Sequence, residues 1–123
     1  MRKAYKFRVY PNEEQGRIIE RTLETCRILY NNLLAERRDT YKETGHSLSY
    51  HKQKRGLVQR KVNNPYVSEV HSQVLQDVAL RLQHSFDRFF KGIKEDRKVG
   101  HPRFKGRNRY DSFSYHSTQM GLY

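Results

Sequence analysis

Lysine and arginine interleaved with aromatic rings and proline mark both ends of this chain, and their chemistry is capture of a polyanion. The first stretch is Lys3-Ala4-Tyr5-Lys6-Phe7-Arg8-Val9-Tyr10-Pro11, and residues 1–8 hold four cations and no acid. The second begins Gly100-His101-Pro102-Arg103-Phe104-Lys105-Gly106-Arg107 and reaches Arg109. Between Lys91 and Arg109 there are eight Lys or Arg against Glu95 and Asp96 alone. Cations neutralise phosphates and rings stack on bases, the combination a nucleic-acid surface needs. Lys3, Lys6, Arg8, Arg103, Lys105, Arg107 and Arg109 are the candidate phosphate contacts, with Phe104 packing or stacking among them.

The whole composition points the same way. The chain has 123 residues, 25 Lys or Arg, 13 Asp or Glu and a formal charge of +12, an excess that repels itself unless spent on a polyanion. A membrane is the weakest partner, since no apolar run approaches the roughly 18 residues of a spanning helix. Met1-Arg2-Lys3 is basic but no apolar signal region follows it. A single cysteine, Cys26, permits neither an internal disulfide nor a cysteine zinc site. These features lead us to expect a cytoplasmic, nucleoid-associated protein. With only 35% apolar residues, the nine Tyr and six Phe are expected to supply much of a small core.

Nothing resembles an active site. The six histidines show no ligand spacing, the carboxylates are scattered, and no Walker or Rossmann glycine pattern occurs. No catalytic residue, metal or cofactor is therefore assigned. Gln73 and Gln76 open a helix whose free amides could attract phosphate and whose glutamines could bond base edges, although on the sequence alone a pair of solvent-facing helix residues explains them better.

The elements that must position these residues follow from periodicity. Residues 4–10 alternate as a strand that Pro11 ends, and Asn12 with Gln15 resembles a capping box. From Glu13 to about Glu43 an apolar stripe recurs every three or four residues, broken by Arg37, with a possible helix break and recapping at Thr25. Tyr30, Asn31 and Asn32 within it are assigned to packing. A weaker helix is expected over 50–62, a turn at Asn63-Asn64-Pro65, and a strong helix over 73–95 capped by Ser72. Ser112-Phe113-Ser114-Tyr115 alternates as a returning strand. The expected organisation is a helical bundle inserted between strands from opposite chain ends.

The order of these motifs resembles the N-terminal part of the TnpB family, transposon-encoded RNA-guided nucleases long labelled transposases and related to type V CRISPR effectors. The resemblance is carried by Tyr5 to Asn12 with Gln15, Cys26-Arg27-Ile28-Leu29-Tyr30-Asn31, and Tyr41-Lys42-Glu43-Thr44-Gly45 with Leu48-Ser49-Tyr50. Ser72 to Gln76, Phe86 to Lys91 and Gly100 to Lys105 continue it. It implies a mainly α fold with a small β part, a helical recognition bundle inserted between strands of an incomplete wedge-type, oligonucleotide-binding-like β-barrel. Residues 1–11 would be the first wedge strand, 12–95 the helix-turn-helix-like recognition region, and 96–123 the basic loop and return strand. It further implies guide RNA and DNA as partners, with Tyr50, Lys54, Gln73, Gln76 and Ser114 around a short transposon-adjacent DNA motif. The family's RuvC-type carboxylates and zinc segment lie C-terminal to the motifs matched here, so the missing nuclease region is itself an expected partner and this chain is not expected to be an enzyme. The alternative is a stand-alone helix-turn-helix DNA-binding regulator, or transposase remnant, using the helix after Ser72.

Overall fold

The computed structural model describes residues 2–6, 13–98, 100–107, 109–110 and 112–116, the two terminal stretches as backbone only. In chain order the elements are β1 (Arg2–Lys6), α1 (Glu13–Thr44), α2 (Tyr50–Asn63), α3 (Pro65–Ser68), α4 (Ser72–Lys94) and β2 (Ser112–His116). The Pro11 stop and the Asn12 cap lie outside the described residues.

The first helix runs 32 residues without the expected break at Thr25. A threonine inside a helix costs only a few tenths of a kcal/mol. Here the same stretch carries a continuous buried stripe, Leu23, Cys26, Leu29, Tyr30, Leu33 and Leu34, which packs on α4 and outweighs that cost. Gly45 ends α1 at φ 74°, a left-handed position suited to glycine, and its N–H reaches Tyr41 O at 2.7 Å. Ser49 Oγ then caps α2 by accepting from Lys52 N–H at 3.2 Å.

The expected turn at Asn63-Asn64-Pro65 is also a helix start. Asn64 Oδ1 accepts from the Tyr66 and Val67 amides at 2.9 and 3.4 Å, and Pro65 takes the first helical position, giving the one-turn α3. Ser72 does not cap α4. His71 does, with Nδ1 accepting from Gln73 N–H at 3.1 Å, while Ser72 is the first helical residue.

The core lies between α1 and α4, with α2 covering α4 and Val67, Val70 and Leu57 closing one end. Leu33, Leu34, Leu75, Val78, Ala79 and Leu82 are fully buried. The core is thus chiefly aliphatic rather than aromatic. Tyr30, Phe89 and Tyr110 are buried, but Tyr41, Tyr66, Phe90 and Phe104 stand at least half exposed.

The wedge-type β-barrel is overturned. Among the described residues β1 and β2 pair only with each other, as an antiparallel two-stranded ribbon, and the rest is helices and the loops that join them. Two five-residue strands cannot close a barrel, and a ribbon of this size depends on packing against a helix. β2 supplies that contact by lying on α4.

Candidate nucleic-acid interface

The basic loop after Gly100 is held on the helices by its backbone. Asn31 Nδ2 donates to Lys105 O at 2.9 Å and Asn31 Oδ1 accepts from Lys105 N–H at 2.7 Å, so one side chain pairs with both polar groups of one residue. Arg27 donates to the same carbonyl at 3.0 Å, and Arg38 donates to Pro102 O at 2.8 Å. The Arg38 guanidinium also lies 4.8 Å from the centre of the Phe104 ring. Pro102 and Tyr110 are buried and anchor the loop on either side. Asn31 is therefore a positioning residue as well as a packing one, and only its 74-residue separation from Lys105 hid it.

This clamp leaves the cations outward. Arg103, Arg107 and Arg109 are exposed, and Lys105 is half buried with Nζ 5.1 Å from the centre of the Tyr30 ring. Among the described residues none of the four takes an ion pair. The nearby Glu24 carboxyl is held below the usual carboxylate range by a hydrogen bond from Arg27, with the charges of Arg27 and Arg107 adding to it. Replacing Asn31 by Ala should free the loop: the lost pair of hydrogen bonds is expected to cost about 1–2 kcal/mol. Chemical denaturation measures that loss, and faster exchange of the Lys105 amide would locate it.

A second group gathers on α2 and α4. Lys54 and Gln76 line one cleft of about 480 Å³ with His51 and Arg55. The Lys54 ammonium stands 5.9 Å from the Tyr50 ring centre, and Tyr50 meets His51 edge-on. Tyr50, Lys54 and Gln76 are thus neighbours. Gln73 is half buried in the first turn of α4 and does not line this cleft. Lys3, Lys6 and Ser114 lie in the ribbon, where Lys3 is registered with Tyr115, Lys6 with Ser112 and Ala4 with Ser114. Arg8 lies outside the described residues. The ribbon does bring the two chain ends side by side.

Beneath the loop, Cys26 is completely buried and its thiol is pushed up from 9.0 to about 12 by desolvation, and burial also raises Tyr110. Both groups are raised in the folded state, so their contribution is complete below about pH 9 and is lost as pH climbs toward 12. Urea midpoints should accordingly fall between pH 9 and 11, and Cys26 should resist alkylation at pH 8 until the chain unfolds. A thiol that labels at the rate of a free cysteine in the native protein would contradict this burial.

Among the described residues no three His, Cys, Asp or Glu stand close enough to hold a metal ion, and no helix is long and apolar enough to cross a membrane.

Residues 1–46 match a helix-turn-helix domain model of the IS605 OrfB type. Among the described residues of that span the structure has β1 and the unbroken α1. A provisionally named RNA-guided DNA endonuclease from Streptomyces pristinaespiralis is 30% identical over 111 residues, 89% of this chain and 26% of that protein. InsQ of Escherichia coli (strain K12), under the same provisional name, is 27% identical over 114 residues, 91% of this chain and 27% of its own length. The chain spans about a quarter of the length of these curated relatives. By these matches the chain is similar to part of the RNA-guided DNA endonucleases, with a helix-turn-helix of the IS605 OrfB type at its start.

Proposed function

We propose that this chain is the nucleic-acid-binding module of an RNA-guided DNA endonuclease. In this reading Arg103, Lys105, Arg107 and Arg109 hold phosphates of guide RNA or target DNA, with Lys3 and Lys6 adding charge from the ribbon. Tyr50, Lys54 and Gln76 meet base edges of a short motif on the DNA. A glutamine amide can pair with both hydrogen-bonding positions of adenine, and a lysine can reach the acceptors of guanine. Strand cleavage belongs to parts of the relatives' length that these residues do not span.

The observation that carries this reading is the clamped loop: four cations that take no ion pair among the described residues, on a backbone fixed to α1. Fixing them beforehand lowers the ordering cost of binding. The test is fluorescence anisotropy of the chain with single-stranded RNA and with duplex DNA across a salt series. Log affinity should fall linearly with log salt, by about 0.7 per phosphate on the single strand and about 0.9 on the duplex. Salt-independent binding would reject the proposal. Tight, site-specific duplex binding that RNA does not strengthen would favour the stand-alone regulator.

A further inference from the structure

Arg88 on α4 has no role in the contacts above, yet it lines a cleft with Tyr30, Ser85, Lys105 and Arg109. The cleft measures about 610 Å³, within the range of small-ligand sites. Ser85 Oγ donates to Arg81 O at 3.1 Å and lies 3.1 Å from Tyr30 Oη, so Tyr30 is the donor in that second contact. The Ser85 oxygen also accepts from Arg88 at 3.5 Å, drawing the exposed guanidinium toward the cleft floor. Opposite, the Lys105 ammonium stands above Tyr30, and Arg109 enters from the turn closed by its N–H to Gly106 O at 3.0 Å.

The charges here do not cancel. Arg81 is engaged by Asp77 at 2.8 Å. The one carboxylate among the described residues lining the cleft, Asp87, accepts from Gln83 at 2.8 Å and sets its charge against Arg88, Lys105 and Arg109. Among the described residues Arg88, Lys105 and Arg109 take no ion pair, and three cations against the single Asp87 carboxylate leave an excess positive charge that an anion would relieve. The rings of Tyr30 and Tyr110 are too deeply buried to offer a face to a base. The anion this cleft suits is a phosphate.

We infer that the cleft between α4 and the basic loop seats one internal phosphodiester, shared by Arg88, Lys105 and Arg109, with Ser85 positioning Arg88. The inference rests on the nucleic-acid reading above and adds to it Arg88 and Ser85, neither of which had a binding role on sequence grounds.

The test uses the full 123-residue chain and a short fluorescent single-stranded RNA, with and without a 5′-phosphate. If the two arginines share one phosphate with Lys105, the Arg88→Gln/Arg109→Gln pair lowers the salt slope by at most about 0.7 in total, whereas separate phosphates give about 1.4. The larger fall, or an R88Q variant with unchanged affinity, overturns the shared seat. Affinity that depends on the 5′-phosphate overturns the internal diester. Ser85→Ala should weaken binding without changing the slope and Ser85→Thr should restore it, and an S85A variant that binds like the parent removes Ser85 from the seat. Arg88 and Arg109 are exposed, so melting temperature should stay constant across the pair. Loss of salt dependence in the unmodified chain would defeat the broader proposal. An R88Q chain that behaves as parent, while Arg103 and Arg107 variants weaken, defeats only the seat.

Discussion

Replacing Arg37 by Ala should destabilise the fold by about 2–4 kcal/mol, since hydrogen bonds from a charged donor are worth about 1.5–3 kcal/mol and a buried acceptor is left without its donor. Arg37 interrupts the apolar stripe of α1, yet it is only 8% exposed. Its Nε donates to Gln53 Oε1 at 2.7 Å, its Nη2 donates to Gln83 Oε1 at 2.8 Å, and its guanidinium lies 4.9 Å from the Phe86 ring centre. Gln53, itself buried, donates onward to Leu33 O at 2.9 Å and to Glu36 at 3.2 Å, and Glu36 pairs with Arg60 at 2.6 Å. One guanidinium thus ties α1, α2 and α4 together. Burial pulls the Arg37 pKa below its ordinary value, while the Asp87 and Glu36 charges oppose that pull.

Truncation leaves the Gln53 oxygen without its donor in a dry site, and that orphan makes the loss large. Arg37→Met keeps most of the contact with Phe86 but not the hydrogen bonds, so it should recover only part of the stability. Adding Gln53→Leu to Arg37→Met removes both partners and should recover more than either change alone, because the orphan disappears. Urea denaturation of the four proteins measures the cycle. An R37A protein within about 1 kcal/mol of the parent would show that water already satisfies this site.

How far such features can be read from residues depends on the distance over which they are decided. The α4 stripe and the α2 start at Ser49-Tyr50 are local patterns, and both elements lie where their periodicity puts them. The Thr25 break and the Ser72 cap were local guesses decided by tertiary packing and by a neighbouring imidazole. Arg37 looked like a flaw because its partners are 16 and 46 residues away. Asn31 looked like packing for the same reason. The barrel came from family resemblance rather than from strand patterns in these residues, and the described chain supplies one ribbon. What composition did reveal is the cationic loop, since charge without nearby acids is visible residue by residue. What it could not reveal is that the loop is held rather than trailing.

That distinction makes Arg103→Gln/Arg107→Gln/Arg109→Gln the most informative binding variant. All three side chains are exposed and make none of the contacts that clamp the loop, so helix content and melting temperature should not change. Lys105 is left in place because its ammonium packs over Tyr30 and its backbone carries the Asn31 clamp. Each lost phosphate contact removes about 0.9 from the salt slope on duplex DNA and about 0.7 on a single strand. Arg109 shares the phosphate that Arg88 and Lys105 still hold, so two contacts are lost, which predicts a fall of about 1.8 or about 1.4 and, at 0.1 M salt, roughly 60-fold or 25-fold weaker binding. The two slopes differ enough to show which form of nucleic acid the loop grips. A charged but trailing segment would also lose affinity in this variant. Asn31→Ala separates the cases: it removes no charge, so a clamped loop predicts weaker binding at an unchanged slope, and a trailing one predicts no change.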